Sequence, residues 1–162
     1  MSSNLNLSRC LKSKNWFLDN MTIFFPISLK KKQINDIIFE LKSKNIEILI
    51  DVRRKPIKET NSSPDFFPEN FSDSLKKHNI IYSWFSEWGN YKYANTKEKY
   101  LEMLNSPPSI PESLSEKYNR FALCCYCSEK LQLSKNCHAV WIIECLEGKL
   151  NMTQQKTLIS FF

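Results

Sequence analysis

The chain has 162 residues and a formal net charge of +6 at pH 7, with 42% hydrophobic and 25% charged residues. This length predicts one domain that is large enough to bury a core without disulfides or a metal. No apolar run approaches the ~20 residues of a membrane span, so we expect no membrane partner. The chain contains two glycines, which excludes a Gly-rich dinucleotide fingerprint and a Walker-type phosphate loop.

The positive charge is concentrated in the first part of the chain. Residues 1–63 contain 12 Lys and Arg against 6 Asp and Glu, whereas residues 64–162 contain 11 of each. The clusters Lys30–Lys32 and Arg53–Lys55 favour a phosphate or nucleic-acid partner, although a solvated surface explains the first cluster better. The second cluster differs because it follows a predicted buried strand.

Residues 1–20 show no strong periodicity and predict an N-terminal arm before a single domain over residues 21–162. The start of the chain lacks the charged, apolar and small-residue pattern of a signal peptide. Six cysteines therefore indicate a reducing cytoplasm rather than a disulfide framework. The apolar run Met21–Phe25 predicts a first strand, which Pro26 should stop.

The next segment alternates a helix and a strand. The apolar run Ile46–Val52 is typical of a central parallel strand that is covered on both faces. It follows a predicted helix that ends near Lys44. The helix is indicated by apolar residues at helical spacing, namely Ile34, Ile37, Ile38 and Leu41.

The second half of the chain repeats this alternation. Pro68 suits the first turn of a helix, Ile80–Phe85 predicts a third strand, and Gly89 permits a turn after it. The apolar run Phe121–Tyr126 predicts a further strand, followed by a helix that starts near Asn136. The remaining predicted elements are short helices at Thr96–Leu104 and Pro111–Tyr118 and a last strand at Thr157–Phe162.

The alternation of strands and helices predicts an α/β fold. We expect a single-domain Rossmann-like three-layer sandwich with a mainly parallel sheet of about five strands. Strand ends and the following helix starts then meet at one edge of the sheet, where binding sites are usually built. The residues predicted to share that edge are Asp51, Arg53, Glu87, Cys125, Cys127, Glu129, Cys137 and His138.

Cys137 and His138 are predicted to lie in the first turn of a helix. Unpaired backbone N–H groups and the helix dipole favour an anion there, so Cys137 is a candidate thiolate. The plainer interpretation is that the cysteines are small buried hydrophobic residues, and it suits Cys10, Cys124 and Cys145.

Several segments together resemble a known family. They are IEILIDVRRKP, SSPDFFPENFSDSLKKHNIIY, a Trp-Gly turn, and LCCYCSE followed by Cys-His at a helix start. They are similar to the family called domain of unknown function 488, over Thr22–Phe162. The most specific parts are Asp51-Val52-Arg53 and Cys137-His138.

The resemblance implies a Rossmann-like fold with polar motifs on one edge, and it implies no assigned activity. The chain departs from the family pattern in two places. Phe24–Ser28 replaces a Gly-His-Ser-like turn, and Ala139 replaces an arginine after the Cys-His pair. Both departures weaken the expectation of an inherited activity.

Three functions follow from these residues, and whether the protein is an enzyme stays open. The first is binding of, or catalysis on, a phosphorylated nucleotide-like ligand, without a cofactor. Its candidate catalytic residues are Cys137 as thiolate, His138 or Glu129 as proton-transfer partner, and Asp51 as orienting group. Its candidate ligand-binding residues are Arg53 and Arg54 as anion ligands, Trp84 or Trp88 as a stacking surface, and Glu87, Cys125 and Cys127.

The second function is a structural zinc site. Cys124, Cys127, Cys137 and His138 supply the donor atoms for it. Two difficulties arise, because adjacent side chains on a helix diverge and because Cys124 and Cys127 face opposite ways on a continuous strand. A turn that begins at Cys125 would remove the second difficulty. The third function is a nucleic-acid-binding module that uses the basic first part of the chain.

Overall fold

The computed structural model describes residues 21–55, 63–89 and 94–159, with side chains described up to residue 148. The expected arm at residues 1–20 lies outside these ranges, as does Cys10. Four strands form one parallel sheet in the order β1-β4-β2-β3. The strands are β1 (Ile23–Ser28), β2 (Ile48–Asp51), β3 (Ile81–Trp84) and β4 (Arg120–Cys125).

Helices separate the strands along the chain and flank the sheet. They are α1 (Ile34–Ser43), α2 (Pro68–Lys76), α3 (Lys97–Glu102), α4 (Glu112–Ser115), α5 (Glu129–Leu133) and α6 (His138–Ile159). Short 3₁₀ turns occur at Pro64–Phe66 and Ser86–Trp88. The described part of the chain therefore has the predicted α/β architecture. Among the described residues, no helix combines the length and the apolar character that a membrane span requires.

Strand β1 extends through Pro26, although this proline was expected to stop it. The backbone N–H of Ile23 donates to the carbonyl oxygen of Asn119 at 2.7 Å, and the N–H of Leu29 donates to the carbonyl oxygen of Cys125 at 2.9 Å. Both donors therefore face β4. Because donors alternate along a strand, the nitrogen of Pro26 points to the outer edge, where none of the described strands pairs with β1. An edge position tolerates a residue without an N–H group.

Helix α1 begins and ends as its sequence indicates. A carboxylate oxygen of Asp36 accepts a hydrogen bond from the Gln33 N–H at 2.9 Å, which satisfies a free donor at the start of the helix. Ile37, Ile38 and Leu41 are buried, and Asn45 adopts a left-handed conformation with φ 52° just after the helix. The predicted helical stripe is confirmed.

The core is divided between the two faces of the sheet. On one face, α1 and α2 cover Leu49, Ala122 and Cys124. On the other face, the first part of α6 and Tyr100 of α3 pack with Ile50 and Cys125. Alternation along the strands therefore places Cys124 and Cys125 in different halves of the core.

The predicted last strand is wrong. Helix α6 runs to Ile159 through the apolar segment predicted as a strand at Thr157–Phe162, and residues 160–162 lie outside the described ranges. The sheet thus has four described strands instead of about five. A short apolar run does not distinguish a strand from a continuing helix, which is the physical reason for the error.

Candidate metal centre and the neighbouring ion pair

Four donor side chains converge just beyond the end of β4. The ligand atoms of Cys125, Cys127, Cys137 and His138 all lie within 4.8 Å of one another, and we call these residues the cysteine–histidine cluster. The Sγ atoms of Cys125 and Cys137 are 3.3 Å apart, and Cys127 Sγ is 3.5 Å from His138 Nδ1. In a tetrahedral site, Zn–S bonds of about 2.3 Å place two sulfur ligands about 3.8 Å apart.

The backbone explains why these donors meet. Cys125 ends β4, and the chain bends at Tyr126 and Cys127. Cys125 and Cys127 pack in the half of the core that contains α6, whereas Tyr126 packs in the other half. Helix α6 begins at His138, so Cys137 precedes it and lies outside the helical spiral. The expected divergence of two adjacent helical side chains therefore does not apply.

His138 is held in the form that a metal ligand requires. Its Nε2 lies 3.2 Å from the carbonyl oxygen of Val52, which only accepts hydrogen bonds, so Nε2 donates. The Nδ1 lone pair then faces Cys127. Burial lowers the pKa of His138 and favours the neutral ring. A backbone carbonyl that fixes the tautomer of a histidine is a common arrangement around metals.

The three thiols differ in their acidity. Hydrogen bonds from Cys125 and Cys127 lower the pKa of Cys137 to about 3, and the N–H of Val140 in the first turn of α6 adds to this effect. Hydrogen bonding to Cys127 and to Cys137, together with burial, raises the pKa of Cys125. The pKa of Cys127 rises to about 12, since bonding to Cys137 and burial outweigh the lowering by Cys125. The metal-free cluster therefore carries one thiolate.

The second polar group lies at the end of β2, on the opposite face. Asp51 and Arg53 form a buried ion pair in which the Arg53 Nε donates to Asp51 Oδ1 at 2.8 Å. The Tyr82 hydroxyl donates to Asp51 Oδ2 at 2.7 Å, and Arg53 Nη2 donates to the Phe66 carbonyl at 2.7 Å. We call Asp51, Arg53 and Tyr82 the aspartate–arginine cluster.

The sheet separates this cluster from the cysteines. Asp51 lies beside Cys124 in the strand register, and Phe66 belongs to the half of the core under α1 and α2. Val52, which lies between Asp51 and Arg53 in the chain, faces the other half. The single cleft expected for Arg53 and Cys137 is therefore divided into two sites on opposite faces.

Arg53 is the internal partner of Asp51, and its side chain is 4% exposed. Its Nη1 is a buried nitrogen without a hydrogen-bond partner among the described residues. The guanidinium also lies 5.4 Å from the ring centre of Tyr126. The role of Arg53 as an anion ligand stays a prediction, and the geometry gives it a structural role first.

The other predicted site residues are dispersed. Glu129 is exposed and pairs with Lys32 at 2.7 Å. Trp84 is partly exposed, and its Nε1 donates to the Arg53 carbonyl at 2.7 Å. Trp88 is buried, and it stacks on Phe85 with 4.6 Å between ring centres. Arg54 and Glu87 are exposed.

Cys124 does not belong to the cysteine–histidine cluster. It is fully buried on the face of Asp51, and burial raises its pKa. Cys125 takes the place predicted for it. The sequence signal that identifies Cys125 is its spacing of two from Cys127, because both pack on the α6 side of the sheet while Tyr126 between them packs on the other side.

Gly89 has a structural role that differs from the expected one. Its φ is negative, so no left-handed turn requires glycine there. A Cβ at this position would instead lie 2.4 Å from the Cα of Arg54. Glycine is required because the backbone after β2 passes directly against it.

A family model described as "Domain of unknown function DUF488" matches residues 33–146, which is 114 of the 162 residues. The chain belongs to this family. The match includes the aspartate–arginine cluster and all four residues of the cysteine–histidine cluster, whereas β1 lies outside it. The family description assigns no activity. No curated protein and no solved structure matches the chain.

Proposed function

We propose that this family member binds one zinc ion through Cys125, Cys127, Cys137 and His138. The observation that carries the proposal is the convergence of three sulfur atoms and one imidazole nitrogen within 4.8 Å. Thiolate and imidazole ligands in a four-coordinate arrangement suit zinc, whereas Mg²⁺ and Ca²⁺ prefer oxygen ligands. The zinc ion is the cofactor in this proposal.

The ligand set favours a structural zinc ion. All four positions of a tetrahedral site are filled by protein, so no position is left for a water or a substrate. Cys125 and Cys137 are completely buried, and His138 is nearly so. The ion would join the end of β4 to the start of α6 and fix the segment that contains α5.

The neighbouring cysteines provide a matched test. The full chain, purified under reducing conditions, should contain one zinc ion by elemental analysis, and Co²⁺ in its place should give sulfur-to-cobalt charge-transfer absorption. Cys125→Ala should lose both signals, because it removes a ligand. Cys124→Ala should keep both, because Cys124 faces the other half of the core.

Two outcomes would contradict the zinc site. The first is that the reduced wild-type protein contains no zinc even after incubation with the ion. The second is that Cys124→Ala and Cys125→Ala lose the metal equally. The second outcome would mean that metal binding depends on general packing around β4 and not on specific ligands.

A second candidate function is thiolate chemistry on a phosphorylated, nucleotide-like ligand or on nucleic acid. It is supported by Cys137, whose pKa is lowered to about 3 at the start of α6. Against it, Cys137 is 1% exposed, and Arg53 lies on the opposite face of the sheet. Calorimetric titration of the metal-free protein with phosphate and nucleoside monophosphates tests it, and no heat of binding is expected if zinc binding is the function. Both candidates need reduced thiols, so we propose a cytoplasmic location.

A further inference from the structure

We infer that the cysteine–histidine cluster is an oxidation site, at which peroxide converts Cys125 and Cys137 to a disulfide and the zinc ion is expelled. This inference rests on the zinc site proposed above, and it names how that site is regulated. Its basis is the position of the three sulfur atoms relative to one another and to solvent.

The first observation is a distance. The Sγ atoms of Cys125 and Cys137 are 3.3 Å apart. This separation lies between the roughly 3.8 Å of two zinc-bound sulfurs and the roughly 2.05 Å of a disulfide. A small movement of the two side chains in either direction therefore gives one state or the other.

The second observation is the difference in exposure within the cluster. Cys125 and Cys137 are 0% and 1% exposed, whereas Cys127 is partly exposed. A peroxide molecule from solvent therefore meets Cys127 first. The sulfur of Cys127 is also within 4.8 Å of both buried sulfurs, so an oxidised Cys127 is within reach of a second thiolate.

The chemistry is complete with peroxide as the oxidant. In the zinc-loaded protein the cysteine ligands are deprotonated, so the Cys127 thiolate attacks one peroxide oxygen, an S–O bond forms, the O–O bond breaks, and hydroxide leaves. The Cys137 thiolate then attacks the Cys127 sulfur and displaces a second hydroxide. Cys125 finally attacks the Cys137 sulfur, and Cys127 leaves as a thiolate. Two thiolates lose two electrons, and one peroxide takes up these electrons and two protons to give two waters.

The consequence for the metal follows from the ligand count. The disulfide removes Cys125 and Cys137 as thiolate ligands, and Cys127 and His138 alone do not complete a tetrahedral site. Reduction of the disulfide by a thiol would restore the ligands. The segment from Tyr126 to Asn136 lies between the two cysteines. Conversion of the zinc-bound state to the disulfide therefore changes how this segment is held to the rest of the protein.

The test uses the full chain loaded with zinc. Stoichiometric hydrogen peroxide should release the zinc ion to an indicator dye, and dithiothreitol followed by zinc should reverse the loss. Trypsin cleaves after Lys130 and Lys135, so the Cys125 and Cys137 peptides separate unless a disulfide joins them. A dimedone probe added during oxidation should label Cys127 before any other cysteine.

Cys145→Ser is the matched control. Cys145 is also partly exposed but lies in a cavity beside Leu101 and Pro108, away from the cluster. Its replacement should leave the rate and extent of zinc release unchanged. Release that depends on Cys145 would overturn the inference.

The failures of the two proposals are distinguishable. If the reduced protein binds zinc but peroxide leaves the zinc in place, or releases it without a Cys125–Cys137 disulfide, the oxidation site is wrong and the zinc site stands. If the reduced protein takes up no zinc, the proposed function fails and expulsion of the ion fails with it.

Discussion

Two polar clusters lie at the same edge of one sheet, on opposite faces, and they differ in how their bonding capacity is used. In the aspartate–arginine cluster, both carboxylate oxygens of Asp51 accept hydrogen bonds from Arg53, and Tyr82 donates to one of them. In the cysteine–histidine cluster, three sulfurs and one nitrogen face one another. The first cluster satisfies its charges internally, whereas the second contains lone pairs that a cation would satisfy.

The difference shows that position at a strand end does not by itself define a ligand site. Both clusters follow the carboxyl ends of central parallel strands, where binding sites are common. In the aspartate–arginine cluster, the two charges pair with each other, and the cluster has a structural role. The comparison therefore predicts that changes in the aspartate–arginine cluster affect folding, and that changes in the cysteine–histidine cluster affect zinc.

Arg53→Ala should have the largest effect on stability. It leaves the Asp51 carboxylate buried without its ion partner, which typically costs about 3–5 kcal/mol in the free energy of unfolding. Urea denaturation of the zinc-loaded protein measures this loss. Lys55→Ala, at an exposed position two residues away, should stay within about 0.5 kcal/mol of wild type. An Arg53→Ala variant as stable as wild type would mean that the ion pair is not structural.

The pH dependence of zinc affinity tests the cysteine–histidine cluster. The raised pKa values of Cys125 and Cys127 keep both protonated near pH 7, whereas Cys137, with a pKa lowered to about 3, and neutral His138 have no proton to release. Zinc binding then releases two protons, so affinity rises with pH by about 100-fold per unit, or about 2.7 kcal/mol.

Competition with a chelator at pH 7 and pH 8 measures this slope. A slope of about 1000-fold per unit would show that Cys137 is also protonated in the metal-free protein.

His138 contributes to the pH dependence in the opposite direction to a histidine that gains a negatively charged partner on folding. Its pKa is lowered, so protonation opposes both folding and zinc binding as the pH falls below the ordinary histidine range.

Tyr82→Phe should have the smallest effect. It removes one hydrogen bond to Asp51, while the bonds from Arg53 remain, so the unfolding free energy should fall by about 1.5 kcal/mol. Zinc content should stay unchanged, because Tyr82 lies on the other face of the sheet. Loss of zinc in this variant would show that the two clusters are coupled through the sheet, against the separation that their faces indicate.

The sequence was sufficient for the architecture and for the edge of the sheet that holds the polar residues. The stripe of α1 and the apolar run of β2 specify a helix and a central strand because their periodicities are unambiguous. The segment between β4 and α6 was predicted as a turn, but α5 forms there with Ser128 as its N-terminal cap. A helix of five residues, none of them buried, is too short to give a periodic signal.

The four side chains that converge differ from the predicted zinc ligands at one residue, Cys125 in place of Cys124, and that residue decides the face. Cys124 and Cys125 are neighbours on β4, and their side chains lie in opposite halves of the core because the side-chain period of a strand is two. Likewise, Asp51-Val52-Arg53 was read as part of one site, but its two charged residues face α1 and α2. The choice of face depends on which helices cover each side, and that is a property of the whole fold.

Pro26 has a consequence for how the protein meets other copies of itself. The outer edge of β1 lacks a donor at its centre, so another strand cannot pair there along its full length. The proline therefore protects this side of the sheet from edge-to-edge aggregation. Among the described strands, the other edge of the sheet is β3, where Ile81 and Trp84 are partly exposed and no proline interrupts the strand. For the sheet of the described residues, strand addition is therefore expected at β3 and not at β1.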